Sequence, residues 1–431
     1  MTTMDATGVA AEPRNKSRTV LMASMIGTTI EFFDFYIYAT AAVIVFPHLF
    51  FPAADPTSAL LSSLATFAIA FFARPIGAAV FGHYGDKIGR KTTLIAALLL
   101  MGISTVAIGF LPTYSQIGVM APLLLALCRL GQGLGLGGEW GGAVLLATEN
   151  APKGKRSWYG MFPQLGAPVG FILATASFLI LAETMSEEAF FVWGWRVPFI
   201  ASALLVALGL FIRLNITETP DFKKAIEDKT RVPVPFSVVL REHKLRLLFG
   251  TLAALGTFVL FYLMTVFTLG YGTGTLGYPR EQFLLLQMVG VVAFGLFIPP
   301  AALLADKYGM KITMMLITAA IGLFGFCIQP LLAGGTVGVM AYLVIGFALM
   351  GMTYGPLGAA LAQPFPTAVR YTGSSLTFNL GGVFGASLAP MVATWLAKNY
   401  GIAYVGYYLI AAAIITLIGF AFMRSAKDAE G

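Results

Sequence analysis

The sequence predicts an all-α integral membrane protein with about twelve transmembrane helices in two pseudo-symmetric six-helix bundles. Three observations predict this fold: the composition, the spacing of the apolar segments and an internal repeat. Of 431 residues, 58% are hydrophobic and only 11% are charged, whereas soluble domains carry about 25% charged residues. The mean hydropathy of +0.83 points the same way, so we expect a multi-pass protein embedded in a lipid bilayer.

The apolar segments set the number of helices. A membrane-spanning helix needs about 20 mostly apolar residues. Windows of this kind lie at 20–46, 59–83, 92–112, 117–148, 158–182, 193–214, 244–271, 282–305, 312–332, 337–362, 372–395 and 402–423. The predicted domains are a tail at 1–19, a first bundle at 20–214, a linker loop at 215–243, a second bundle at 244–423 and a tail at 424–431.

Basic residues predict the orientation. Nearly all Lys and Arg lie in the tails and in the loops after even-numbered segments, whereas the opposite loops hold only Arg280 and Lys398. Basic loops stay on the cytoplasmic side of the membrane, so we expect both termini to be cytoplasmic. We expect the protein to lie in the inner membrane of the cell. The net charge of +7 is therefore a topology signal, and no nucleic-acid partner is needed to explain it.

Two motifs recur in the two bundles. The second segment is followed by a loop with Gly82, Asp86, Lys87, Gly89, Arg90 and Lys91. The eighth is followed by Ala302, Asp306, Lys307, Gly309, Met310 and Lys311 at the same spacing. Similarly, Gln164-Leu-Gly-Ala-Pro-Val-Gly170 matches Asn379-Leu-Gly-Gly-Val-Phe-Gly385. Six-helix repeats with a site between them are typical of transporters.

An arginine inside the fourth segment indicates where that site lies. Arg129 begins a stretch of fourteen residues with seven glycines, and an arginine near mid-bilayer costs about 2.5–3.5 kcal/mol on insertion scales. We expect Arg129 to hold a substrate carboxylate. Gly133, Gly137 and Gly141 recur every four residues, which predicts close approach of a neighbouring helix.

Two carboxyl groups in the first segment are candidates for proton coupling. Glu31 and Asp34 are three residues apart and so lie on one side of a helix, with Tyr38 four residues beyond Asp34. Buried carboxyl groups this close should not both be ionised, which suits a proton carrier. Asp34 is the first candidate and Glu31 the second; alternatively, both form structural ion pairs with Arg74 and Arg129.

The remaining substrate candidates are mostly neutral. Arg74 is a candidate for substrate contact. Alternatively, it belongs to an inner gate, because it lies just before Pro75 in the cytoplasmic half of the second segment. The second bundle has no charged residue inside any segment, so it should supply shape and hydrogen bonds. The neutral candidates are Tyr38, Gln132, Gln164, Tyr262 and Asn379; further polar residues of the second bundle are Thr265, Gln287, Tyr354 and Gln363.

These motifs together resemble the major facilitator superfamily and, within it, the metabolite:proton symporter family. The resemblance rests on Gly82–Lys91 and on Glu31-Phe-Phe-Asp34-Phe-Tyr36, Arg74-Pro-Ile-Gly77, Arg129-x-x-Gln132-Gly133, Gly138-Glu139-Trp140, Trp193-Gly-Trp-Arg196 and Phe365-Pro-Thr-x-x-Arg370. It implies proton-coupled uptake of a small organic acid or zwitterion, with the proton as coupling ion, no other cofactor and no enzymatic activity. One chain is a sufficient functional unit for this architecture.

The resemblance also implies a conformational gate. Gly82, Asp86, Lys87, Gly89, Arg90 and Lys91 would form a cytoplasmic latch, which is closed when the site faces outward. Its repeat at Asp306 should be weaker, since Ala302 and Met310 depart from the pattern. Glu139 and Arg370 are further gate candidates, and Glu139 either pairs with loop arginines or takes part in proton transfer.

Several other functions remain as alternatives. Gly166-Ala-Pro168-Val-Gly170 loosely resembles a motif of drug:proton antiporters, which keeps export open; otherwise it marks a kink and a close helix contact. Uniport is also open, and a membrane sensor is a non-transporter alternative. The chain has no phosphate-binding loop, and its two cysteines and three histidines are too scattered to predict a metal site.

Overall fold

The computed structural model describes residues 17–53, 55–88, 90–137, 139–149, 151–215, 235–366 and 369–423. Twelve spanning helices are numbered in chain order. They are α1 (Ser17–Ile44), α2 (Pro56–Ile88), α3 (Arg90–Phe110), α4 (Met120–Leu136 and Trp140–Glu149), α5 (Arg156–Thr184), α6 (Val197–Asn215), α7 (Lys244–Gly274), α8 (Arg280–Tyr308), α9 (Met310–Ala333), α10 (Gly335–Ala362), α11 (Arg370–Asn399) and α12 (Ile402–Phe422).

Hydropathy agrees with this count. Ten of the described helices are long and apolar enough to cross a membrane, and α3 contains a shorter apolar stretch, Ile95–Phe110. The remaining helix, α1, has 28 residues, but Glu31 and Asp34 lower its hydropathy. The predicted all-α membrane fold is confirmed. Each predicted segment overlaps one of the twelve numbered helices, with ends that differ by a few residues.

Three helices depart from the regular helices that the sequence predicted. The prediction made α4 one helix, but it breaks between Leu136 and Trp140, where glycine lowers helix propensity. Near their midpoints, α7 and α11 each contain a π turn, at Leu263–Phe267 and Gly382–Ala386. Hydrophobic periodicity cannot reveal a π turn, because it inserts a single residue into an otherwise regular helix.

Glycines bring the helices of the first half, α1–α6, into close contact. A Cβ atom added to Gly133 would lie 2.5 Å from the Ala70 carbonyl oxygen of α2, and one added to Gly137 only 2.1 Å from that of Arg74. The same applies to Gly166 of α5, whose added Cβ would lie 2.2 Å from a side chain of α1. The close approach predicted for the α4 glycines is confirmed.

The two halves, α1–α6 and α7–α12, contact each other at both ends of the bundle. We call the end where α1 begins and α12 ends the terminal face. There, the Asp306 carboxylate at the end of α8 accepts hydrogen bonds of 2.9 Å from the backbone N–H groups of Ser157 and Trp158. Trp140 of α4 stacks on Phe378 of α11 with ring centroids 3.5 Å apart. The terminal face is therefore closed.

The opposite face, where α1 ends and α2 begins, is closed as well. The Lys398 ammonium group lies 2.7 Å from the Asp55 carboxylate, and this hydrogen bond lowers the pKa of Asp55 to about 2. The Arg280 guanidinium of the second half lies 4.3 Å from the ring centroid of Phe190 in the first half. With both faces closed, the structure is in an occluded conformation.

Residues 1–16 of the predicted N-terminal tail, the whole C-terminal tail and most of the linker lie outside the described residues. The described end of the linker is a short helix, Pro235–Glu242. Its Val239 is fully buried against a small cluster at the terminal face that includes Leu247, Phe365 and Leu376. The linker thus reaches the second half as a packed helix.

Candidate functional site

A central cavity lies between the two halves and is lined mainly by aromatic rings. Its charged lining residues are Glu31 of α1 and Arg74 of α2. The aromatic residues are Phe32, Phe35, Trp140, Phe258, Phe261, Tyr262, Tyr354 and Phe378. Its open volume is about 10 Å³, room for about one water molecule. A metabolite would fit only if the halves separate.

Arg74 is the guanidinium group that borders this cavity. It is 8% exposed, and its Cζ lies 4.9 Å from the Phe71 ring centroid and 5.1 Å from that of Phe35. Its Nε atom has no hydrogen-bond partner among the described residues. The Tyr354 hydroxyl, on another wall, also lacks one there. Buried polar atoms without partners are rare, so this site offers hydrogen-bonding capacity to a ligand.

Arg129 lies behind the cavity wall, inside the first half. Its side chain is completely buried, and it donates hydrogen bonds to the Phe67 carbonyl oxygen at 3.3 Å and to Gln132 Oε1 at 3.1 Å. Its Cζ lies 4.1 Å from the Tyr38 ring centroid and 4.9 Å from that of Phe35. The guanidinium groups of Arg129 and Arg74 therefore both contact the Phe35 ring. Of the two arginines predicted to contact the substrate, Arg74 lines the cavity in this conformation, and a substrate contact at Arg129 stays a prediction.

The two predicted carboxyl groups point in different directions. Glu31 lines the cavity, whereas Asp34 is 1% exposed and its Oδ1 accepts a 2.5 Å hydrogen bond from Ser202 of α6. Residues three apart on a helix are offset by about 60° around its axis, which is enough to turn Asp34 into the first half. The expected pair on one side of α1 is thus divided between the cavity and the bundle interior.

Asp34 belongs to a polar region enclosed by the first half. Its Oδ2 has no hydrogen-bond partner among the described residues. Nearby, Gln132 Nε2 donates to the Thr105 hydroxyl at 2.8 Å, and the Tyr38 hydroxyl donates to Thr66 at 2.8 Å. Arg129, Gln132 and Tyr38 therefore share one buried polar region that does not border the cavity.

Two other predicted substrate residues bridge the halves on the side of the cavity nearer the terminal face. Gln164 Oε1 accepts a 3.2 Å hydrogen bond from the Trp140 indole, and its Nε2 donates to the Tyr354 carbonyl oxygen at 3.2 Å. Asn379 Nδ2 donates to the Gly137 carbonyl oxygen at 3.3 Å. Of the neutral candidates, Tyr262 alone lines the cavity.

The gate residues are only partly described. Gly89 lies outside the described residues. For the other predicted latch residues the structure describes only the helical backbone; these are Gly82, Asp86, Lys87, Arg90 and Lys91. Asp306 caps the first turn of α5, where helix N–H groups favour a negative charge. Arg370 Nε donates to the Phe365 carbonyl oxygen at 3.2 Å, and Glu139 is buried at the break in α4.

Sequence reasoning missed Ser202 and most of the aromatic lining. Ser202 is a serine in an otherwise apolar segment, and its pairing with Asp34 is a contact over 168 residues without a local signal. The phenylalanines of α1 and α7 follow ordinary apolar patterns. Only the unusual aromatic content of these helices could have indicated an aromatic cavity. Among the described residues, no group of three His, Cys, Asp or Glu side chains is arranged to hold a metal ion.

Two six-helix halves that enclose a charged, aromatic cavity in the membrane define a membrane transporter. Comparison with known proteins agrees. A family model described as "Sugar (and other) transporter" matches residues 19–231. The inner membrane metabolite transport protein YhjE of Escherichia coli is 56% identical over 94% of this chain and 94% of its own length. The E. coli shikimate transporter is 32% identical over 99% of this chain and 100% of its own.

Solved structures show the same fold. The partially occluded, inward-open xylose transporter XylE of E. coli covers 95% of this chain and 98% of its own, with a TM-score of 0.71 and 19% identity. On the strength of the relatives at 56% and 32% identity, the chain belongs to the major facilitator superfamily, among its inner-membrane metabolite transporters.

Proposed function

We propose that the protein takes up a small organic acid or zwitterion together with a proton by alternating access. The observation that carries the proposal is the central cavity, which contains one guanidinium and one carboxyl group among aromatic rings and is closed at both faces. A transporter needs a site that either face can reach in turn. The contacts at the two faces are small and polar or aromatic, which suits interfaces that separate repeatedly.

The cavity chemistry favours a compact substrate with a carboxylate group. Arg74 offers planar N–H donors that suit a carboxylate, and the Tyr354 hydroxyl offers a further hydrogen bond. The aromatic faces would hold a hydrocarbon ring or a methylated ammonium group, since such rings attract cations. Relatives include the shikimate transporter and a proline/betaine transporter of Salmonella typhimurium, 32% identical over 94% of this chain and 82% of that one.

The two carboxyl groups of α1 are the candidates for the proton. The hydroxyl groups of Ser202 and Thr105 are hydrogen-bond partners of Asp34. Neither neutralises a carboxylate, and a buried carboxylate without a cation is costly. Asp34 is therefore expected to carry the proton in this occluded conformation. Glu31, which lines the cavity, would contact the substrate and exchange a proton with the substrate. For a zwitterion, one proton moving through about 100 mV supplies about 2.3 kcal/mol, enough for a gradient of about forty-fold. A monocarboxylate anion that moves with one proton carries no net charge across the membrane, so the pH difference alone drives its uptake.

The positions of the basic residues support cytoplasmic termini. On that basis the terminal face opens to the cytoplasm, and the face with Asp55 and Lys398 opens to the outside. A single chain encloses the whole cavity, so a monomer suffices for transport.

Purified protein in liposomes tests the function. Glycine betaine, proline and shikimate are offered under an inward proton gradient, with external pH recorded on substrate addition. Symport predicts gradient-driven accumulation and external alkalinisation. Uptake that ignores the gradient indicates uniport, and acidification indicates antiport; either result refutes the proposal.

A further inference from the structure

The π turn at the midpoint of α7 leaves a backbone carbonyl group without its usual partner. The Thr268 N–H group donates to the Leu263 carbonyl oxygen, five residues back. In a regular α-helix it would serve Met264, four residues back. Inside a membrane no water can replace that donor. The Met264 carbonyl group therefore needs a hydrogen bond from another helix.

Gln287 of α8 supplies that hydrogen bond. Its Nε2 lies 3.1 Å from the Met264 carbonyl oxygen and 3.1 Å from that of Thr265. The side chain is completely buried, and its Oε1 has no hydrogen-bond partner in the described part of the chain. Both amide hydrogens thus serve the π turn, and no other described contact accounts for a glutamine at this position.

The π turn fixes the orientation of the last part of α7, Thr268–Gly274, which we call the outer segment. Each residue of an α-helix turns the chain by about 100° and advances it by about 1.5 Å, so loss of the extra residue would rotate the outer segment by about 100°. In the structure, Gly270 of this segment faces the first half. A Cβ added to Gly270 would lie 3.5 Å from side-chain atoms of both Val43 and Leu60. Rotation would replace this glycine with a larger side chain.

The π turn of α11 offers an internal comparison. It is stabilised within its own helix, where the Ser387 hydroxyl donates to the Val383 carbonyl oxygen. Beyond it, Lys398 near the end of α11 pairs with Asp55 of the first half. The outer parts of α7 and α11 therefore both close the opposite face, but Gln287 contacts only the turn in α7.

We propose that Gln287 is a positioning residue for transport: it holds the π turn of α7 and thereby orients the outer segment as a gate at the opposite face. This proposal rests on the alternating-access function proposed above. It assigns the gate to a hinge at Leu263–Phe267, and it separates closure by α7 from closure by α11.

Disulfide cross-linking tests the proposal without a substrate. One cysteine pair, Leu60→Cys with Gly270→Cys, reports contact of the outer segment of α7. A second pair, Asp55→Cys with Lys398→Cys, reports contact of α11. Both are placed in a protein with Cys128 and Cys327 replaced by serine. Gln287→Met removes the donors at similar length, and Gln287→Glu, neutral in the membrane, keeps one donor.

Gln287→Met is expected to lose most of the cross-linking at the α7 pair and to retain it at the α11 pair. Gln287→Glu should cross-link at the α7 pair to an intermediate extent. If the methionine variant does not fold, the comparison is made between the parent and Gln287→Glu. The control Thr353→Val breaks a buried 2.6 Å hydroxyl pair between Thr257 of α7 and Thr353 of α10 and should retain both cross-links. Equal cross-linking at the α7 pair in parent and Gln287 variants overturns the proposal, as does equal loss in Thr353→Val. Failure of proton-driven uptake in the parent would instead refute the proposed function. The cross-linking results would still test the role of Gln287.

Discussion

Gly141 of α4 leaves no room for a methyl group where the halves meet at the terminal face. An added Cβ would lie 1.8 Å from Ser375 Oγ and 3.1 Å from Ser375 Cβ on α11. Overpacking typically costs about 1–3 kcal/mol, and the lower end of that range applies here, because the Ser375 hydroxyl can turn away and only the contact with Ser375 Cβ is fixed. The contact joins the two halves, so the cost falls only on conformations closed at the terminal face. A bias of about 1 kcal/mol changes a two-state population ratio by about 5-fold.

Gly141→Ala should therefore shift the protein toward conformations open at the terminal face. Spin labels at the exposed positions Lys153 and Tyr308 measure the separation of the halves by pulsed electron resonance. Gly142→Ala is the matched control, because its Cβ would make only a 3.5 Å contact with Tyr371. Ser375→Gly on the Gly141→Ala background should restore closure. An unchanged distance distribution in Gly141→Ala, or an equal shift in Gly142→Ala, refutes the reasoning.

Three further predictions follow from the charged groups. Arg74→Lys keeps the charge but loses the planar pair of donors, so calorimetry should show roughly ten- to a hundred-fold weaker binding of a carboxylate substrate; equal affinity contradicts an Arg74 contact. Asp306→Asn removes the negative charge and one of the two acceptor oxygens at the N-terminus of α5, a loss of at least about 0.3–1 kcal/mol, and should widen the label distance at the terminal face, whereas an unaltered distance would exclude Asp306 as a latch. The Asp55 carboxylate, with its pKa held near 2 by Lys398, loses this ion pair only as pH falls through about 2. Asp55→Asn should therefore leave the shape of the uptake profile between pH 4 and 8 unchanged, and a shifted profile would contradict this.

The sequence was sufficient for the fold because the bilayer imposes simple rules. Apolar runs of about 20 residues must be helices, and the repeated motifs divide them into two halves. Glycine spacing also predicted the tight contact of Gly133 and Gly137 with α2, since a missing side chain has a direct steric consequence. These signals are local, and each can be found within one or two segments.

The site was harder to predict because its geometry depends on small rotations. Spacing placed Glu31 and Asp34 on one side of a helix, but an offset of about 60° separates the cavity from the interior of the first half. Arg129 and Arg74 both lie in apolar segments, and which of them borders the cavity depends on how α2 and α4 are packed, which the apolar pattern does not reveal. The π turn beside Gln287 left no trace in the apolar pattern.

In the mechanism proposed above, a carboxyl group of α1 carries a proton together with the substrate. The most direct measurement is substrate-induced external alkalinisation in liposomes, compared with substrate counterflow, which needs no net proton movement. The parent protein should show both. Asp34→Asn, which can still accept a hydrogen bond from Ser202, should lose alkalinisation and keep part of the counterflow. Alkalinisation that persists in Asp34→Asn and also in Glu31→Gln would contradict the account.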